Sequence, residues 1–181
     1  MPSSCASTSS LSKLRLFFAL WPPREAAAAL HHWASAVQRT SGGRVTRLET
    51  IHLTLAFLGD VDESLLPSLK EFKVKGERQS LPIEQARFWP RNRIVWVGPD
   101  AVSEQLNLLV ENLREELREK SFAVEKRPFA AHITLIRKAR EPQALPDLPE
   151  LSWPIDEVVL VRSQLSAAGS SYEVVQRYPL S

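Results

Sequence analysis

The chain carries one short pattern, His-x-Thr-Leu, twice: at His52-Leu53-Thr54-Leu55 and again at His132-Ile133-Thr134-Leu135. In an extended strand residues two apart point to the same face. Each copy therefore presents an imidazole beside a hydroxyl, while its apolar residues face a core. Two such pairs facing one cleft would supply an acid, a base and two hydrogen-bonding hydroxyls around a single anion. One copy is a weak signal, but two copies are much stronger.

The elements that must position these residues also repeat in the same order. Residues 14–21 read as a buried strand, a helix follows Pro22-Pro23, and the strand with His52 comes next. In the second half residues 93–97 read as a strand, a helix opens at Pro99-Asp100, and the strand with His132 follows. The apolar stripes of the two helices are formed by Leu30, Trp33, Ala34 and Val37, and by Val102, Leu106, Leu109, Val110, Leu113 and Leu117.

Each half also supplies a predicted strand pair. Residues 81–89 turn into the strand at 93–97, and residues 153–161 turn through 167–169 into a strand at 172–176. The proline-rich stretch 142–154 is predicted to be a surface loop, because proline opposes regular pairing. An arginine also precedes each motif histidine at the same distance, as Arg47 and Arg127. We infer an ancient duplication that gives two similar lobes, packed as one unit because no Gly/Ser-rich linker separates them.

Composition indicates a soluble globular protein. The chain has 181 residues, of which 44% are hydrophobic and 24% charged, with a formal charge of +2. The near balance of charge gives no bulk argument for nucleic-acid binding, but three clusters could steer an anion: Arg44 with Arg47, Lys126 with Arg127, and residues 137–140. No membrane segment is expected.

The single cysteine, Cys5, excludes an internal disulfide framework and a multi-cysteine metal site, and it favours a reducing compartment. The apolar run 16–21 is shorter than the ~7 to 15 residues of a secretion-signal core. We therefore expect a cytoplasmic protein with a flexible Ser-rich tail over residues 1–12 and a single two-lobed domain over residues 13–181.

The residues around both motifs resemble the signatures of a known family. Residues 50–61, Thr-Ile-His-Leu-Thr-Leu-Ala-Phe-Leu-Gly-Asp-Val, are similar to the first signature of the two-histidine phosphoesterases, specifically the LigT-like RNA 2′,3′-cyclic phosphodiesterases, also called 2′-5′ RNA ligases. Residues 129–135 with Arg137 resemble the second signature. Residues 14–20 resemble the family's opening strand and residues 160–180 its closing hairpin. Where the family often has Pro-Glu-Asn before the first motif, this chain has Leu48-Glu49-Thr50.

The resemblance implies a bilobal α+β fold in which two antiparallel sheets form a concave cleft with helices outside. It also implies hydrolysis of a 2′,3′-cyclic phosphate at an RNA end to a 2′-phosphomonoester, without a metal or other cofactor, and 2′-5′ ligation as the reverse chemistry. His52 is then the proton donor and His132 the proton acceptor, although their equivalent positions make the reverse physically plausible. With ordinary pKa values near ~6.5, one imidazole can be neutral and the other charged at neutral pH.

Thr54 and Thr134 are expected to donate hydrogen bonds to the nonbridging phosphate oxygens. Arg137 is a further candidate for a phosphate contact. It lies three residues after Thr134 and so on the opposite face of a regular strand, which means that it reaches the cleft only if the strand has ended.

Two alternatives stay open. A noncatalytic module that binds RNA ends would keep the fold and hold a cyclic phosphate without turnover. The second alternative is a metal-dependent phosphohydrolase, because imidazoles bind transition metals. Against it, zinc sites usually need three or four ligands, and each motif pairs its histidine with threonine, which is a poor metal ligand. The expected partner is an RNA or oligonucleotide with a cyclic phosphate end, and the expected state is a monomer.

Overall fold

The computed structural model describes residues 12–167 and 169–181 of the chain. The predicted tail, residues 1–12, lies outside the described residues except for Ser12. Within the described residues the elements follow in the order β1 Lys13–Leu20, α1 Arg24–Ser41, β2 Arg44–Val45, β3 Leu53–Asp62, α2 Leu66–Lys70, β4 Gln79–Ile83, β5 Gln85–Trp89, β6 Ile94–Gly98, α3 Glu104–Glu119, β7 Ile133–Arg137, β8 Leu151–Ile155, β9 Glu157–Ser166 and β10 Gly169–Pro179.

Two antiparallel four-stranded sheets hold the two motif strands. The first sheet has the order β10-β9-β1-β3 and the second the order β2-β7-β6-β5. In each sheet the motif strand, β3 or β7, pairs with a central strand, β1 or β6, whose other side pairs with β9 or β5. The series β3-β1-β9 therefore repeats as β7-β6-β5. The predicted α+β fold with two antiparallel sheets is confirmed.

The two halves of the chain are interleaved, which the order of elements alone did not specify. The second strand after each motif strand lies in the other sheet: β5, which comes after β3 and β4, joins the second sheet, and β9, which comes after β7 and β8, joins the first. The helices cross as well, because α1 packs against β7 and β8 while α3 packs against β3. Each lobe is therefore completed by elements from the other half, and one buried apolar cluster contains residues from both sheets.

The crossings run through a third, two-stranded sheet of β4 and β8. The prediction of one continuous strand over 81–89 and another over 153–161 is therefore wrong. The first range is divided into two strands at Glu84, and the second at Asp156. The prediction of a loop over 142–154 is also wrong at its end, since Leu151–Ile155 is β8. Pro154 is exposed there and pairs opposite Ser80. Proline is tolerated because both strands of a two-stranded sheet are edge strands, which leave one side without ladder partners.

The helices bury the predicted apolar stripes. In α1 the buried residues include Leu30, Trp33, Ala34 and Val37. In α3 they include Leu106, Leu109, Val110, Leu113 and Leu117. Val102 was also predicted on this stripe, but it lies before the start of α3 and is half-buried. Helix α3 starts later than the predicted opening at Pro99-Asp100. It begins at Glu104, because the Ser103 hydroxyl accepts a hydrogen bond of 3.1 Å from the Leu106 amide and so caps the helix. In the described part of the chain, no helix has the length and hydropathy needed to cross a membrane.

Candidate active site

The two motif histidines stand immediately before β3 and β7, and their rings are anchored in the same way. His52 Nδ1 lies 2.7 Å from the Thr50 carbonyl oxygen, and His132 Nδ1 lies 2.9 Å from the Ala130 carbonyl oxygen. A carbonyl can only accept a hydrogen bond, so each Nδ1 carries the hydrogen. In the neutral ring Nε2 is then the nitrogen with a free lone pair, and in the charged ring it is the nitrogen that can donate a proton.

A β-bulge follows the motif threonine in both strands. In β7, Thr134 pairs with Trp96 and Ile136 pairs with Val95, so Leu135 is the additional residue. The bulge reverses the alternation of side chains, since Leu135 and Ile136 are both buried and Arg137 is exposed. Arg137 thus returns to the face of Thr134 although the strand has not ended. The expectation based on a regular strand is corrected, and Arg137 reaches the cleft through the bulge.

The five residues predicted for the site line one cavity of about 190 Å³: His52, Thr54, His132, Thr134 and Arg137. The first two come from the first sheet and the other three from the second, so the cavity lies where the sheets face each other. Among the described residues, no protein group forms a hydrogen bond with the Thr54 or Thr134 hydroxyl. Both hydroxyls are therefore available to donate to a bound anion.

Aromatic side chains fix the orientation of both imidazoles. The His52 ring stacks on Trp21 with a centroid distance of 5.2 Å and an interplanar angle of 8°, and the edge of Tyr172 approaches it to 5.3 Å. The His132 ring lies 4.7 Å from Trp89 and 6.3 Å from Trp96. Each ring thus has one aromatic wall and one carbonyl anchor, which leaves little rotational freedom.

The environment disfavours the charged form of both imidazoles when no anion is bound. Burial lowers the pKa of His52 from 6.5 to about 4, against the opposing effect of the Thr50 carbonyl, and the positive charge of Arg137 lowers it further. Burial also lowers the pKa of His132, with Arg137 acting in the same direction. Both effects disfavour the charged ring. An anion bound between the rings would counter them and raise both pKa values.

The cavity is also lined by residues that were not on the predicted site list, and Arg44, Arg47 and Tyr172 are among them. Arg44 and Arg47 carried a signal, since they form one of the basic clusters in the sequence. The equivalent position of Arg47 in the second half, Arg127, does not line the cavity, and its guanidinium instead pairs with Glu125. Tyr172 had no signal of its own, because only the pairing of β10 in the first sheet brings it to His52.

The position that corresponds to Arg137 in the first half is Phe57. It follows the bulge at Leu55 in β3, and its side chain is 41% exposed. The Arg15 guanidinium lies 4.9 Å from the centroid of the Phe57 ring. Trp96, which pairs with Thr134 in the second sheet, is buried. The two equivalent positions therefore differ: Arg137 lines the cavity, whereas Phe57 is not among the described residues that line it.

Comparisons with known proteins agree with this architecture. The family model of LigT-like phosphoesterases matches the chain twice, over residues 20–96 and 97–172. The RNA 2′,3′-cyclic phosphodiesterase of Escherichia coli is 31% identical over 171 residues, which cover 92% of this chain and 97% of that protein. The protein of the same name from Thermus thermophilus is 33% identical over 180 residues, covering 92% and 90%.

A solved structure resembles the whole fold as well. The crystal structure of E. coli LigT complexed with 3′-AMP superposes with a TM-score of 0.85 at 30% identity, covering 94% of this chain and 99% of that one. The double match of the family model confirms the duplication inferred from the repeated motif. Sequence and fold agree over nearly the whole length, and the chain therefore belongs to the LigT-like phosphoesterase family.

Proposed function

We propose that this protein hydrolyses the 2′,3′-cyclic phosphodiester at an RNA end to a 2′-phosphomonoester, using two histidines and no metal. The observation that carries the proposal is the pair of anchored imidazoles in one cavity, each with Nε2 available beside a free threonine hydroxyl. The names of the relatives and the nucleotide bound by E. coli LigT support an RNA-derived substrate. Because both halves of the site come from one chain, we propose that it acts as a monomer.

The reaction needs two proton transfers in line across phosphorus. The oxygen of a water molecule attacks phosphorus and gives its proton to Nε2 of His132. The bond between phosphorus and the ribose 3′ oxygen breaks, and that oxygen takes a proton from Nε2 of His52. The product is a 2′-phosphomonoester with a free 3′ hydroxyl. Each transfer is typically worth ~10² to 10⁴ in rate.

The remaining cavity residues hold the phosphate. Thr54 and Thr134 donate hydrogen bonds to its two nonbridging oxygens, where the negative charge resides during transfer. Arg137 lies close enough to affect both imidazoles and adds a positive charge to the same site. These donors are fixed by the strands before the substrate arrives, so little reorganisation is needed during the reaction.

The donor role requires His52 to gain a proton as substrate binds. Its pKa of about 4 makes it neutral in the free protein at pH 7. The negative charge of the cyclic phosphate favours the imidazolium, and it raises the pKa of the ring that it contacts. Substrate and proton are therefore taken up together, while His132 must stay neutral to accept the proton of water.

A turnover assay tests the proposal and separates it from both alternatives. We expect a cyclic-phosphate RNA end and a 2′,3′-cyclic mononucleotide to be hydrolysed, with ³¹P NMR showing the 2′-phosphomonoester as product. Activity should survive exhaustive treatment with EDTA, whereas loss of activity that Zn²⁺ or Mn²⁺ restores would favour the metal-dependent hydrolase. Tight binding without turnover would favour the noncatalytic module. Incubating RNA ends that carry cyclic phosphate and 5′ hydroxyl groups tests 2′-5′ ligation, the reverse reaction of the same site.

A further inference from the structure

Arg44 stands directly opposite Arg137 in the second sheet. The two residues are Cα partners in the antiparallel pair of β2 and β7, and both line the cavity. Like charges directly opposite each other on neighbouring strands are destabilising. Within the described residues, no carboxylate lies in salt-bridge contact with either guanidinium. The sheet thus holds two uncompensated cations side by side, an arrangement that a bound polyanion would relieve.

The backbone that carries Arg44 is held tightly against β7. The Thr46 amide donates to the Leu135 carbonyl at 2.8 Å, and the Thr46 hydroxyl donates to the Thr134 carbonyl at 2.9 Å. On the other side of Arg44, Gly43 has φ +82°, and a Cβ added there would lie 2.6 Å from the Arg137 carbonyl oxygen. Only glycine permits this approach. The Arg44 backbone is therefore preorganised beside Arg137.

The charge of the cavity exceeds what one cyclic phosphate neutralises. Three arginines line it, Arg44, Arg47 and Arg137, and no acidic residue is among the described residues that line it. Arg47 Nη2 already donates to the Ser170 carbonyl, which links the turn before His52 to the β9–β10 hairpin. A cyclic phosphodiester carries a single negative charge, which Arg137 or the protonated imidazole alone is enough to offset. The positive charge of Arg44 is then not neutralised by the cyclic phosphate.

We propose that Arg44 forms a second anion subsite, which binds the phosphodiester on the 5′ oxygen of the terminal nucleoside. The inference rests on the proposed function, because it takes the cyclic phosphate to lie between the histidines. Arg44 is on the strand next to Arg137, with the two strands about 4.8 Å apart, so its guanidinium can hold an anion beside the one that Arg137 contacts. The enzyme should therefore prefer an oligonucleotide end to a cyclic mononucleotide.

The test removes the positive charge of Arg44 and the negative charge of the internucleotide linkage, separately and together. Wild type and Arg44→Gln are assayed on a dinucleotide that ends in a 2′,3′-cyclic phosphate, with either a natural or a neutral methylphosphonate internucleotide linkage. We expect wild type to prefer the natural linkage by about 10-fold or more in kcat/KM, the range of a charge-assisted hydrogen bond. Arg44→Gln should abolish most of that preference. The slope of log kcat/KM against log salt should also become shallower by about 0.7 on the natural linkage alone.

Lys138→Gln is the matched control, because Lys138 is an exposed cation next to Arg137 in sequence that does not line the cavity. This variant should keep the wild-type preference. An equal loss by Arg44→Gln on both linkages would overturn the second subsite while leaving the proposed function intact, provided that wild type hydrolyses a cyclic mononucleotide. No turnover of any of these substrates by wild type would overturn both proposals.

A cyclic mononucleotide with a 5′-phosphate monoester distinguishes the source of the second anion. We expect it to gain less in kcat/KM over the unphosphorylated mononucleotide than the natural dinucleotide gains over its methylphosphonate analogue. An equal gain that depends on Arg44 would overturn the assignment to an internucleotide diester. It would identify a terminal phosphate as the anion instead. Circular dichroism and thermal unfolding of Arg44→Gln check that the exposed substitution leaves the fold unchanged.

Discussion

Leu55 in β3 and Leu135 in β7 are both bulged residues, and each lies one position after its motif threonine. Both side chains are buried. The motif therefore repeats as a backbone geometry as well as a sequence. In each lobe the bulge turns the residue three positions after the threonine towards the motif face, which is Phe57 in the first lobe and Arg137 in the second. The same distortion thus places different side chains in the two lobes, and of these Arg137 lines the cavity.

Removing either imidazole should abolish most turnover. We expect His52→Ala and His132→Ala each to lower kcat/KM on a 2′,3′-cyclic mononucleotide by at least ~10², because each removes one proton transfer. His32→Ala is the matched control, since His32 is exposed on α1 and should have no effect. Near-normal turnover in either motif variant, with its fold intact by circular dichroism, would remove that histidine from the mechanism.

Anion binding should raise the pKa of His52. In the free protein the ring should titrate near pH 4, below the ordinary value of 6.5, because burial and Arg137 disfavour its charged form. Sulfate keeps its charge across this range, so saturating sulfate should shift the titration to higher pH, and sulfate should bind more tightly as pH falls. NMR titration of the imidazole resonances with and without sulfate measures both effects. A titration unchanged by sulfate would show that the anion does not bind beside this ring.

The acid and base roles predict how turnover depends on pH, and they predict different alkaline limbs for kcat and kcat/KM. The profile should be bell-shaped, because one imidazole must be protonated and the other neutral. Since the bound phosphate raises the pKa of the donor, the alkaline limb of kcat should lie at higher pH than that of kcat/KM, which reports the free protein. A profile that is flat between pH 5 and 9 would contradict the acid–base pair.

Gly43 should be more sensitive to substitution than its neighbour Gly42. Both have positive φ, so alanine at either position costs about 1 kcal/mol or more of folding stability. At Gly42 the nearest atom to an added Cβ is 3.7 Å away, whereas at Gly43 it is the Arg137 carbonyl oxygen at 2.6 Å. Gly43→Ala should therefore push β2 away from β7 and lower kcat/KM, while Gly42→Ala lowers stability alone. Equal kinetics in the two variants would argue against a role for this close approach.

Arg114 should stabilise the segment that leads to His132. It is buried in α3, and its Nη1 donates a hydrogen bond of 3.1 Å to the Arg127 carbonyl. Arg114→Ala should lower the free energy of unfolding by about 1–3 kcal/mol, because it leaves that carbonyl without its donor. Arg118→Ala, an exposed position in the same helix, should change it by less than about 0.5 kcal/mol. Urea unfolding measures both, and equal effects would contradict the role of the buried hydrogen bond.

The local arrangement of the site residues could be predicted because it depends on short-range geometry. The spacing of His52 and Thr54, repeated at His132 and Thr134, puts each pair on one strand face whatever the strand pairs with. The apolar stripes of α1 and α3 follow from helical periodicity in the same way. The breaks at Glu84 and Asp156 could not be predicted, because each half of those apolar runs is a plausible strand and only its partner decides where it stops.

The sequence by itself determined the residue types of the proposed catalytic pair, their common orientation on two similar strands, and the family to which the chain belongs. Only the tertiary structure decided that β5 and β9 exchange between the sheets, that Arg137 turns into the cavity, and that Arg44 faces it. The physical reason is that strand register and bulges are set by pairing between residues distant in sequence. A local pattern contains the side chains that do the chemistry, whereas the electrostatic field around them comes from strands that meet only in the folded protein.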